Sequence, residues 1–224
     1  ATKTPTTRTS RASVISDGGE RPRPVDGRWV PMKLLAGTVD IDDVDAFVER
    51  LAGVAADHGV TVQAFDARYV VDRAHLERAV ELADRAIARG ENVADDHAVE
   101  ILLYAAGRRQ INRAFEMGVS EGEHPVVVLA DDPGADPDGA DPDDVGPDDT
   151  DPADGPTEGI DSETRAVAAL RESLAIDADE SVLGDYDPER VRDFFEVGAA
   201  ELAAVEGDLP DLVRERVALL DVEK

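Results

Sequence analysis

The sequence predicts an α+β fold: a single mixed domain with a small three-stranded sheet, antiparallel, packed by about six to eight helices. Three observations lead there. Short runs rich in β-branched or alternating residues fall at 33–39, 60–65 and 126–129. Around them lie segments with apolar residues at helical spacing, opened by Asp and closed by Gly. Hydrophobic residues make up 42% of 224, enough to bury the core of one domain.

The elements follow in order. Lys33 to Val39 reads as the first strand. Asp42 or Asp43 can cap a helix whose apolar face is Val44, Phe47, Val48, Leu51, Val54 and Ala55, and Gly59 fits just past its end. Val60, Val62 and Ala64 alternate with Thr61, Gln63 and Phe65 as a second strand. A helix from about Arg73 to Ala88 carries Leu76, Val80, Ala83 and Ile87 on one face and stops at Gly90. Asp95 or Asp96 caps a helix from Ala98 to Ala106 that is apolar on all sides, so it belongs in the middle of the core. Gly107 breaks it, and a short helix from about Arg109 to Met117 follows. Val126 to Leu129 is a third strand, apolar enough to be covered on both faces. Helices are then expected from Ser162, from Asp187-Pro188, and over Leu212 to Leu220. The long connections contain helices and do not by themselves fix the strand directions.

Two segments stand outside this pattern. Residues 1–31 are basic, rich in Thr, Ser, Arg and Pro, and without a period. They are expected to be a tail, read either as a nucleic-acid-binding arm or, preferably, as residues ahead of a true start at Met32. Residues 131–161 are Asp, Pro and Gly with almost nothing to bury, as expected of a disordered, self-repelling loop inside the domain that spans 32–224. Calcium binding there is disfavoured, because the Asp spacing does not follow the EF-hand pattern.

The formal net charge is −28, from 51 acidic and 23 basic residues. A mimic of nucleic acid is one reading. Adaptation to molar salt is the other, and it is favoured because carboxylates cover every expected helix and Arg replaces Lys nearly throughout. The chain has no Cys, which excludes disulfides and thiolate metal sites. No apolar run approaches the roughly 20 residues of a membrane span, and no secretory signal opens the chain. A soluble, cytoplasmic protein without membrane contact is expected.

No phosphate-binding P-loop and no dinucleotide fingerprint is present. His58, His75, His97 and His124 lack metal-ligand spacing, so each is expected at a surface or a helix end. The run Asp40, Asp42, Asp43, Asp45 is better read as acidic residues at a helix N-terminus than as a metal loop. With no nucleophile, base, metal or cofactor constellation visible, binding is expected rather than catalysis.

The most informative stretch is Asn92 to Gly118, NVADDHAVEILLYAAGRRQINRAFEMG. An apolar helix stops at Gly107 and hands over to Arg108, Arg109 and Gln110, at the start of the next helix, with Asn112 and Arg113 one turn on. Free N–H groups there favour an anion, and guanidiniums add forked donors suited to phosphate oxygens. The structural alternative pairs either arginine with Glu100 or Glu116. A different function for the Arg108–Arg109 turn would be a small-molecule or enzymatic site for a phosphorylated ligand.

ILLYAAGRRQINRAFEMG resembles the signature segment of the Cgi family of KEOPS subunits, TPRKB in animals. MKLLAGTVDIDDVDAF resembles that family's opening strand and helix, VTVQAFDARYVVDRAHLERAVELADRAI its second strand and long helix, and ERVALLDVEK the ending of archaeal members. The resemblance covers about Met32 to Leu129 and Asp187 to Lys224. It implies a non-catalytic subunit of the complex that adds threonylcarbamoyl to the adenosine next to the tRNA anticodon. Such subunits bind and stimulate the complex's small kinase, itself an ATPase, and meet the other KEOPS subunits through it. Archaeal members also bind tRNA, notably its single-stranded CCA end. On this resemblance Arg108, Arg109, Gln110, Asn112 and Arg113 become the candidate tRNA contacts, with Gln63 a further possibility. No small-molecule substrate is implied, and the face that meets the kinase is not readable from the sequence.

Overall fold

The strand at Gly122–Asp131 (labelled β3 below) is the axis of the structure, because both of its faces are buried. Its Val127 and Leu129 point into one hydrophobic cluster, and Val126, Val128 and Ala130 into a second. The computed structural model describes residues 32–133, 161–205 and 207–222. In chain order these form β1 (Met32–Ile41), α1 (Val44–His58), β2 (Thr61–Asp66), α2 (Arg73–Arg89), α3 (His97–Ala105), α4 (Ile111–Ala114), β3, α5 (Ser162–Ser173), β4 (Asp177–Ala178), α6 (Pro188–Phe194), α7 (Ala199–Ala204) and α8 (Leu209–Val222).

The sheet order is β2-β3-β1-β4, and every neighbouring pair is antiparallel. The register sets Leu35 and Ala64 on either side of Val128, so one face is built from three strands. α1 and α5 cover that face through Phe47, Leu51, Ala166 and Leu170. α2, α3, α6 and α8 cover the other. The mixed fold is as expected, with four strands in place of three. β4 is only two residues long, paired at Gly37 and Thr38, too short to leave a period in the sequence. It fits because Gly37 has no Cβ, which would lie 2.3 Å from the Asp177 carbonyl oxygen.

Asp caps recur because a short carboxylate can accept the free N–H groups of a first helical turn. Asp43, Asp72, Asp96, Asp161 and Asp187 each do so, at 2.7–3.1 Å. Five of the 51 acidic residues thus have a structural role as helix caps. The apolar faces are narrower than their periodicity: Val48 and Ile87 are exposed. α7 was not foreseen. Asp131 closes β3 and Asp161 caps α5. Most of the expected acidic loop between them, like the expected tail at 1–31, lies outside the described residues.

α3 lies in the core as expected: Ile101, Leu102, Leu103, Tyr104 and Ala105 are all buried. It is tied to α2 by His75, whose Nε2–H donates to the Ala105 carbonyl at 2.8 Å. His75 is fully buried rather than at a surface, and burial lowers its pKa, so it packs as a neutral ring. His124 is also buried, against expectation, and the Ser120 N–H reaches its Nε2 at 3.5 Å.

Candidate nucleic-acid interface

α3 ends because Gly107 adopts φ +59, where a side chain would be strained, and the Arg108 N–H returns to the Leu103 carbonyl at 3.0 Å. A Cβ on Gly107 would also sit 3.4 Å from the backbone of Arg216 in α8. The turn is therefore pressed onto α8, and this contact separates the fates of the two arginines that follow.

Arg108 is not solvent-facing. Its side chain is 16% exposed. The guanidinium lies 5.0 Å from the centre of the Phe194 ring, donates to the Phe194 carbonyl, and reaches Glu196 Oε1 at 3.2 Å. It clamps the end of α6 onto the turn. The anticipated partner Glu100 is elsewhere: buried, it accepts the N–H groups of Val93 and Ala94 at 3.0 and 2.8 Å. Arg108→Ala is expected to lower stability by about 2 kcal/mol. That figure sums one net hydrogen bond and a partly desolvated cation–π contact, with little from the largely exposed Glu196. Urea unfolding of the variant beside wild type measures it.

Arg109, Gln110, Asn112 and Arg113 are exposed. Arg109 leans on the C-terminal end of α8, donating to the Leu220 carbonyl at 3.3 Å. Gln110 stands at the N-cap of α4 without capping it by its side chain. Glu116, the other partner the alternative offered to Arg108 or Arg109, pairs instead with Arg113 at 2.7 Å, but both side chains are about half exposed and the pair is weak. The helix behind the expected anion site is short. α4 has four residues and passes into a single 3₁₀ turn, Phe115–Met117, so it carries almost no macrodipole. Anion affinity must come from the side chains. Gln63 bonds the carbonyl of its neighbour Ala64 at 2.8 Å and lies apart on β2.

The sequence reading missed Phe115 and Ile111. They are 53% and 37% exposed on the same short helical segment. Four residues apart on a segment this short, they read as core; only the fold shows them exposed.

A cleft of about 310 Å³ opens beside Arg108, lined by Gly107, Phe195, Glu196, Arg216 and Leu219 among others. Both of its arginines are committed, Arg216 to Glu201 at 2.7 Å and Arg108 as above. It offers a phosphorylated ligand no free cation.

A family model described as kinase binding protein CGI-121 matches residues 39–221. The chain belongs to the CGI-121 family. The match spans α1 to α8, including the 107–118 turn, and makes kinase binding the family property of this chain. No curated protein matches it. Among the described residues no helix is long and apolar enough to cross a membrane.

One further cluster lies away from the turn. His97, at a helix end as expected, opens α3 beside Asp84 of α2 and Asp131 of β3. Burial, then the Asp84 carboxylate, push Asp131 up to about 7. Burial opposes charge on His97, but the hydrogen bond and the charge of Asp84 raise its pKa overall.

Proposed function

We propose that this CGI-121 protein is a non-catalytic subunit of the KEOPS complex that stimulates the complex's kinase in the cytoplasm and holds tRNA by its CCA end. The observation that carries the reading is the family match over 39–221 to a kinase-binding protein. The family resemblance noted in the sequence extends it to tRNA threonylcarbamoylation and to the remaining subunits. The tRNA contact is assigned to Arg109, Gln110, Asn112 and Arg113, with Arg108 behind them holding the turn in place.

The chemistry of the turn supports this. An unpaired 3′ end offers phosphates to the two arginines and the two amides, and unstacked bases to the exposed Phe115 ring. At molar salt counterion release contributes little, so direct hydrogen bonds from the arginines and amides, with stacking on Phe115, supply most of the affinity.

The test is addition of the purified chain to its cognate kinase in concentrated KCl. A stable complex with faster ATP hydrolysis by the kinase is expected. A kinase that neither binds the chain nor changes rate would remove the regulatory reading.

A further inference from the structure

We propose that Asp84, His97 and Asp131 form a binding site for a divalent transition-type cation, zinc being the best match, that clips α2, α3 and β3 together. One ligand atom from each residue lies within 4.8 Å of the other two. A tetrahedral ion with bonds of about 2.0–2.2 Å holds its ligand atoms roughly 3.4 Å apart, so only small side-chain movements are needed.

The imidazole is set for this role. Its Nδ1 lies 2.9 Å from Thr61 Oγ1, and its Nε2 lies 2.9 Å from Asp84 Oδ1. With Nδ1–H donating to Thr61, the Nε2 lone pair faces the carboxylates. This is how an outer hydroxyl fixes the tautomer of a ligating histidine. The sheet holds the arrangement, since Thr61 and Asp131 are register partners on β2 and β3.

Asp131 decides between a metal and a shared proton. A proton between His97 and Asp84 satisfies that pair alone. Asp131 is 1% exposed, and its buried Oδ2 has no hydrogen-bond partner. A buried carboxylate oxygen left unpaired is costly, and Asp132 and Glu163 add charge of the same sign. A cation between the three side chains satisfies all of them at once. Asp84 and His97 remain 27% and 16% exposed, so water can complete the coordination shell. An imidazole with two carboxylates suits zinc or its neighbours better than magnesium or calcium, which prefer all-oxygen shells.

The test uses the full chain, stripped with EDTA and titrated with Zn2+ in molar KCl, which suppresses diffuse binding to the acidic surface. Co2+ serves as the spectroscopic probe. Wild type should bind one Zn2+, gain thermal stability, and show visible d–d bands with Co2+. Asp131→Asn, nearly isosteric, should weaken Zn2+ binding at least about 100-fold, and Thr61→Val about tenfold. His97→Gln gives a second ligand variant should Asp131→Asn fold poorly. Failure of wild type to bind, or unchanged affinity in a folded ligand variant, would overturn the site.

Discussion

Arg109→Glu combined with Arg113→Glu is expected to weaken tRNA binding by about two to four decades while leaving the fold and kinase binding intact. Two charge-assisted contacts, each worth roughly 1.5–3 kcal/mol, are lost, and each 1.4 kcal/mol is about a factor of ten. The fold should survive because both side chains are exposed. What they give up is one bond to the Leu220 carbonyl at 3.3 Å and one surface pair with Glu116. A new like-charge pair with Glu116 costs only about 0.5 kcal/mol. Affinity measured in high KCl, beside circular dichroism of the same sample, decides it. A folded variant that binds tRNA like wild type would show that the contact lies elsewhere.

Glu100→Ala should be among the most destabilising single changes, lowering stability by about 2–5 kcal/mol. The Glu100 carboxylate is 1% exposed and accepts from two backbone N–H groups, those of Val93 and Ala94. Removing it orphans both donors at roughly 1–3 kcal/mol each. It also releases the connection between α2 and α3, on which the position of the 107–118 turn depends. For a domain of this size the melting temperature should fall by roughly 5–15 °C. Glu100→Gln keeps an acceptor oxygen and should lose much less. A melt of Glu100→Ala within about 2 °C of wild type would mean that the 92–94 segment is held otherwise.

Most of the fold was legible because its signals are local. Asp caps, closing glycines and alternating strands each act over a few residues, and α1, α2 and β3 lie where those signals put them. β4 was not legible. Two residues carry no period, and their pairing depends on Gly37, some 140 residues earlier in the chain. The candidate site was legible in composition but not in geometry. Arg108 and Arg109 are neighbours with the same chemistry, yet one is clamped on Phe194 and the other faces water. The difference comes from α6 and α8 arriving from far along the chain. Glu100, close in sequence to both arginines, turns the other way because two unpaired N–H groups wait at Val93 and Ala94. The His97 cluster was invisible for the same reason: Asp84, His97 and Asp131 have no motif spacing and meet only where two helices reach the end of β3.

Titration of the wild-type chain with intact tRNA, and with the same tRNA trimmed of its CCA end, in concentrated KCl tests the central claim most directly. Binding of intact tRNA and loss of most of that affinity on trimming is the predicted result. Equal affinity for both forms, or no binding to either, would contradict the account.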